Sequence, residues 1–79
     1  SGGRYHMNQE QIFINIPTRG VFIRLKGDLD FELTRSRIGC KVGDEYRATL
    51  ELNEGAAAWF WRAGLWCVVW PDNYDLIEK

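Results

Sequence analysis

Apolar and polar residues alternate over much of this chain, and an alternation with a period of two predicts β-strands. The pattern predicts one strand over residues 11–16 and another over 21–25, separated by a turn at 17–20 that contains proline and glycine. A hairpin about this turn pairs Ile16 with Val21, Ile14 with Ile23 and Ile12 with Leu25. We therefore expect these two strands to form a hairpin with the six branched apolar residues on one face.

The middle of the chain predicts another strand between polar loops. Residues 26–30 predict a loop, and residues 31–38 begin with the alternation of a strand. From residue 46 to 52, Tyr46, Ala48, Leu50 and Leu52 alternate with polar residues. We expect a strand there with one buried face.

The most apolar stretch of the chain, residues 56–71, contains all four tryptophans. Ala63 and Gly64 suit a two-residue hairpin loop between strands. The pairs are then Arg62 with Leu65, Trp61 with Trp66, Trp59 with Val68 and Ala57 with Trp70. In this register the four tryptophans share one face of the ribbon.

A helix is the competing prediction for residues 54–63, with Asn53 as its N-cap and Gly64 just after its end. Aromatic residues lose rotamer freedom in helices, which favours the strand. Residues 65–70 predict a strand under either alternative, and Pro71 ends it.

Both faces of the tryptophan ribbon are apolar, which is unusual for a sheet that is half exposed to water. The face opposite the tryptophans carries Ala58, Phe60, Leu65, Cys67 and Val69. Either the domain wraps around the ribbon as a small barrel, or a partner protein docks on the tryptophans, and both alternatives are open. We expect a mainly β fold: a small single domain on an antiparallel sheet of four or five strands, with an SH3-like arrangement as one option and at most one short helix near 54–63.

Length and composition bound the domain. Residues 1–6 look like a leader left by cloning, and we expect them to be disordered. Residues 7–79 then form the single domain, and loss of Arg4 takes the formal charge from −1 to −2. Four Trp and four Phe can supply the core of so small a domain. From about residue 72 an acidic tail follows, for which a short edge strand and a mobile end are both open.

The residues 7–79 offer little for catalysis or metal binding. They contain no histidine, the usual base for an activated nucleophile. Asp28 and Asp30 lack the further ligands of a calcium loop, and Cys40 and Cys67 cannot complete a zinc site. The two cysteines are expected to be reduced and buried, and no apolar run is long enough to insert into a membrane. We expect a protein that is not an enzyme and needs no cofactor.

Arginines interleaved with aromatics suit nucleic-acid binding, but the slightly acidic net charge opposes it. These arginines are Arg19, Arg24, Arg35, Arg37, Arg47 and Arg62. A protein-interaction module fits better, since Trp and Arg are enriched at interface hot spots. A small barrel-type nucleic-acid-binding module remains the alternative.

From Met7–Gln11 to Asp75–Lys79, in its length and its tryptophan-rich C-terminal half, the chain resembles small transcription regulators encoded by lytic bacteriophages. The resemblance implies a host-takeover protein of the host bacterial cytoplasm that binds the beta and beta-prime subunits of host RNA polymerase near the RNA exit region. It also implies sigma factor displacement, inhibition of initiation and antitermination, with a host elongation factor as a further candidate partner. Apart from the resemblance, the lack of a long apolar run and the slightly acidic net charge lead us to expect no membrane association and no strong direct nucleic-acid binding.

No family residue transfers position by position, so the contact residues are predicted from side-chain chemistry alone. Large aromatic and arginine side chains carry most of the binding energy at protein interfaces. The candidates are Trp59, Trp61, Arg62, Trp66, Trp70, Arg35 and Arg37.

Overall fold

The computed structural model describes residues 16–53 and 55–79, in which five strands form one antiparallel sheet. The strands are β1 (Thr18–Leu25), β2 (Glu45–Glu51), β3 (Ala58–Arg62), β4 (Leu65–Val69) and β5 (Tyr74–Ile77). Their order across the sheet is β4-β3-β2-β1-β5. A short helix, α1 (Phe31–Thr34), lies between β1 and β2, and a 3-10 turn (Pro71–Asn73) precedes β5. The predicted mainly β fold is confirmed, whereas the SH3-like arrangement stays a prediction.

The core lies on one face of this sheet, which we call the core face. Alternate strand residues point into it, and Phe60 is only 1% exposed. Tyr46 stacks on Phe60 with ring centroids 4.5 Å apart and the planes 9° from parallel. The segment between β1 and β2 covers this face, because Leu33, Ile38 and Cys40 join the same buried cluster. The opposite face of the sheet is called the outer face below.

The β3–β4 hairpin has the predicted register. Trp61 lies opposite Trp66, and Arg62 lies opposite Leu65. The two loop residues Ala63 and Gly64 have φ values of 55° and 79°, as a type I′ turn requires. The alternative helix over 54–63 is therefore wrong, because residues 58–62 form β3 and pair with strands on both sides.

The predicted turn at 17–20 is wrong. β1 already begins at Thr18, and Gly20 pairs with Thr49 of β2. The predicted partner strand over 11–16 lies, except for Ile16, outside the described residues. Its proposed pairing with residues 21–25 is also wrong at Ile23, because that residue is flanked by Tyr46 on one side and Leu76 on the other.

Residues 31–38 do not continue as a strand either. Phe31–Thr34 form a single helical turn that brings Leu33 into the core. Asp30 precedes the turn in an extended conformation, and its carbonyl oxygen accepts a hydrogen bond from Thr34 Oγ1 at 3.1 Å. The helix of this fold thus lies at 31–34 and not near 54–63.

The C-terminal tail forms a strand, which settles the alternative left open by its sequence. β5 pairs with β1, and Lys26 Nζ lies 2.9 Å from Asp75 Oδ1. Tyr74 is buried, and its hydroxyl donates a hydrogen bond to the carbonyl oxygen of Ala56 at 2.6 Å. Residues 74–77 are therefore an edge strand of the sheet.

The two cysteines are free and buried, as predicted. The Tyr46 hydroxyl donates a hydrogen bond to Asp44 Oδ2 at 3.0 Å and lies 3.5 Å from Cys40 Sγ. The pKa of Tyr46 is raised mainly by burial and then by its contacts with Cys40 and Asp44. Burial is also the main cause that raises the pKa of the Cys67 thiol. A thiol whose pKa is raised by burial is a poor nucleophile at neutral pH, so Cys67 acts as a packing residue.

Candidate functional site

All four tryptophans lie on the outer face: three belong to the β3–β4 hairpin, and the fourth directly follows β4. We call this surface the tryptophan face; it comprises Trp59, Trp61, Trp66 and Trp70. Trp61 is 59% exposed and Trp70 is 55% exposed, whereas Trp59 and Trp66 are half-buried. The alternative in which all four tryptophans build the core is therefore excluded for Trp61 and Trp70. Large aromatic side chains at this level of exposure mark a surface suited to binding.

Trp59 is held in place by the neighbouring strand. It lies opposite Thr49, and its indole Nε1 donates a hydrogen bond to Glu51 Oε2 at 2.7 Å. A hydrogen bond to a charged acceptor is stronger than a neutral one. Trp59 is thus a fixed wall of the outer face, with its polar atom already used.

Trp61 and Trp66 form an edge-to-face pair at the end of the hairpin. Their ring centroids are 5.3 Å apart, and the planes meet at 75°. They are also cross-strand partners in β3 and β4, so the sheet register fixes their separation. This pairing orients Trp61 at the surface and lowers the entropy cost of using it in a contact.

An open concavity of about 840 Å³ lies beside this pair on the outer face. The walls include Trp59, Trp61 and Trp66, and the side chain of Arg47 belongs to the same outer row of β2. Gly20 of β1 lies in its floor, and a Cβ atom added there would meet no atom of the described residues within 4 Å. The concavity therefore combines aromatic walls, two arginines (Arg19 and Arg47), Thr49 and, at Gly20, one position without a side chain.

Arg62 does not belong to the tryptophan face. Its Nε donates a hydrogen bond to the carbonyl oxygen of Ile38 at 2.8 Å, and its guanidinium lies 5.7 Å from the centre of the Tyr46 ring. Both partners are on the core-face side of the sheet. Arg62 thus ties the hairpin to the covering segment, a structural role that differs from the predicted contact role.

Arg35 and Arg37 are also separated from the tryptophans. Both lie in the segment that covers the core face, Arg35 directly after α1. Arg37 reaches the hairpin loop, where its Nη2 lies 3.9 Å from the position of a Cβ placed on Gly64. The structure therefore brings the predicted tryptophans together and places the three predicted arginines on the other side of the sheet.

Charged groups at the far end of the outer face are mutually paired. Glu45 accepts from Lys79 Nζ at 2.7 Å and from Arg24 Nη2 at 2.9 Å. These contacts, that of Lys79 first, lower the pKa of the Glu45 carboxyl, so it stays ionised. Arg47, in contrast, has no ion-pair partner among the described residues.

Sequence reasoning missed Gly20 and the role of Arg47 and Thr49 beside the tryptophans. Arg47 and Thr49 occupied the polar positions of a correctly predicted strand, but its neighbours were unknown. Gly20 was assigned to a turn, although the alternation of residues 21–25 could be extended backwards through it. A glycine inside a strand often marks a close approach by another molecule, and that signal was available.

The described part of the chain contains no group of three or more His, Cys, Asp or Glu residues that could hold a metal ion. None of the helices in residues 16–53 and 55–79 is long and apolar enough to cross a membrane.

Comparison with protein-family models, with curated proteins and with solved structures finds no significant match to this chain.

Proposed function

We propose that this protein is a phage-encoded regulator that binds host bacterial RNA polymerase through its tryptophan face. The observation that carries the proposal is the exposure of Trp61 and Trp70, each more than half open to solvent, on a sheet whose other face supplies the core. Exposed tryptophans on a rigid strand pair are the side chains most enriched at binding hot spots. The polymerase as target, through its beta and beta-prime subunits, comes from the resemblance to phage transcription regulators.

The proposed mechanism is steric and allosteric, without a chemical step. The protein occupies polymerase surface that the sigma factor also needs, and the two therefore compete for the enzyme. Loss of sigma inhibits initiation at host promoters, and continued binding to the elongating enzyme favours antitermination, with a host elongation factor as a further partner. All of these events take place in the host bacterial cytoplasm.

Gel filtration with purified polymerase from the host tests the proposal. We expect the protein to co-elute with core polymerase and to release sigma from the holoenzyme at moderate salt. Elution of the protein apart from both forms of the enzyme would contradict the proposal.

Transcription in vitro separates the two regulatory consequences. We expect the protein to reduce initiation from a sigma-dependent promoter and to increase read-through of a terminator when it is added after initiation. If the protein binds polymerase but changes neither initiation nor read-through, it is a polymerase-binding protein without the proposed regulatory function.

A further inference from the structure

We infer that the concavity over Gly20 receives a segment of the partner protein that presents a bulky apolar side chain next to a carboxylate. The inference deepens the proposed function and rests on it, because it names the chemistry of what the tryptophan face binds. It is carried by three features that share one place on the outer face: the missing side chain at Gly20, the aromatic wall formed by Trp61 and Trp66, and the cation of Arg47, which has no ion-pair partner in residues 16–53 and 55–79.

The first feature is Gly20, a glycine at a position whose backbone conformation does not require one. It lies inside β1, opposite Thr49, and is not among the glycines with positive φ. A glycine in a strand costs stability, since it gains no packing and loses more backbone entropy than other residues. Within the described residues, open space lies where its side chain would be. The missing side chain therefore leaves room for a group from outside.

The walls determine which group fits that room. Trp59 and Trp61 lie on β3 on one side of the concavity, and Trp66 pairs edge-to-face with Trp61. Aromatic walls around an open floor suit a large apolar or aromatic side chain, which gains contact with the rings and leaves water. The volume of about 840 Å³ is large enough for such a side chain and part of its backbone.

Arg47 adds a charge requirement to the site. Its side chain lies in the outer row between Phe22 of β1 and the tryptophans, and it has no ion-pair partner within the described residues. A carboxylate placed next to the inserted apolar group would form a bidentate pair with the guanidinium. The segment we propose is thus acidic at the position beside its apolar anchor.

The surrounding charges favour a peptide over a nucleic acid. Glu51, Glu45 and Asp75 also lie in or beside the outer row, and the cations near Glu45 and Asp75 are already paired with them. A single carboxylate from a partner can pair with Arg47 without disturbing these existing ion pairs. The three carboxylates are balanced by three cations, Arg24, Lys26 and Lys79. Arg47 is therefore the one surplus cation in or beside the outer row among the described residues, and a single surplus cation gives little affinity for a chain of phosphates.

The first test adds bulk to the floor. We expect Gly20→Val to unfold at the same denaturant concentration as the wild type or a higher one, because the space is open and valine favours strands. We expect its affinity for core polymerase to fall by at least about tenfold, with Gly20→Ala in between. This combination distinguishes blockage of the site from a damaged fold.

The second test reverses the charge. We expect Arg47→Glu to weaken binding to core polymerase by at least about tenfold. The matched control is Arg35→Glu, which makes the same change of charge on the other side of the sheet and should change affinity less than about twofold. Equal losses in the two variants would mean that only long-range electrostatics were measured, and the assignment of Arg47 would be wrong.

The outcomes separate this inference from the proposed function. If the wild-type protein does not bind core polymerase, the proposed function fails and the inference falls with it. If the wild type binds and folded Gly20→Val binds equally well, the site over Gly20 is wrong while the proposed function stands. Tight binding of a 20-nucleotide single-stranded DNA, with a steep salt dependence that Arg47→Glu reduces, would overturn the inference in favour of a nucleic-acid ligand.

Discussion

Phe60 and Trp61 are neighbours on β3, yet the sheet buries one and leaves the other at the surface. Phe60 is 1% exposed and stacks on Tyr46 in the core, whereas Trp61 is 59% exposed and meets Trp66 on the outer face. Both are large aromatic side chains whose burial would stabilise the folded chain. The core face is apolar because its side chains build the core. The tryptophan face, in contrast, leaves apolar surface exposed that the fold does not bury.

The two faces also differ in how their charges are arranged. No charged or polar residue is buried among those described, so the buried core itself is built from apolar side chains. The outer face combines aromatic rings with ion pairs such as Arg24 with Glu45. Substitutions on the two faces should therefore separate stability from binding.

The largest expected effect is on the core face. Phe60→Ala removes a fully buried ring and should lower the free energy of unfolding by about 3–5 kcal/mol. Urea denaturation followed by circular dichroism measures this loss. A variant with nearly wild-type stability would contradict the assignment of Phe60 to the core.

A smaller loss is expected where the hairpin is tied to the covering segment. Arg62→Gln removes the hydrogen bond to Ile38 and the contact with the Tyr46 ring, which together should cost about 1–2 kcal/mol of stability. Binding to core polymerase by the folded variant should stay within about twofold of the wild type. A loss of binding without a loss of stability would mean that Arg62 contacts polymerase, as the sequence predicted.

The hairpin loop offers a gain of stability. Ala63 has φ 55°, a conformation that asparagine tolerates better than alanine, so Ala63→Asn should stabilise the protein by roughly 0.5–1 kcal/mol. Ala63→Val should destabilise it, because a β-branched residue resists positive φ. Thermal unfolding of the two variants checks both signs, and equal melting temperatures would contradict the type I′ loop.

The smallest effect concerns the ion pairs of the outer face. Lys79 and then Arg24 lower the pKa of Glu45, so its contribution to stability is present above the ordinary carboxyl pKa and is lost as pH falls through the lowered one. Melting temperatures from about pH 6 to about pH 3 should therefore decline less in Glu45→Gln than in the wild type.

Glu78→Gln is the control for this series. It removes a carboxylate that forms no ion pair within the described residues. Its melting temperature should follow the wild-type dependence on pH. Identical pH dependence in Glu45→Gln and the wild type would mean that these surface pairs do not contribute to stability.

The β3–β4 hairpin could be predicted from the sequence because its information is local. Alternation over residues 58–70 sets the two faces, and Ala63-Gly64 sets the loop, so the register follows without knowledge of the rest of the fold. Even the division between Phe60 and Trp61 follows from the period of two. The sequence left open which face would be covered, because that depends on residues far along the chain.

The errors arose where distant pairing overrides local preference. Thr18, Arg19 and Gly20 are acceptable turn residues, yet they extend β1 because Thr49–Glu51 of β2 pair with them. Phe31–Thr34 alternate like a strand, yet one helical turn brings Leu33 onto the core. The concavity over Gly20 could not be predicted, because it exists only once β1, β2 and β3 lie side by side.

The most direct test of the central claim is to measure Trp61→Ala in two assays, denaturant unfolding and equilibrium binding to core polymerase. We expect the free energy of unfolding to change by less than about 1 kcal/mol. The affinity should fall by roughly 30-fold, the equivalent of about 2 kcal/mol. An unchanged affinity, or a loss of stability as large as that of Phe60→Ala, would contradict the division of the sheet into a folding face and a binding face.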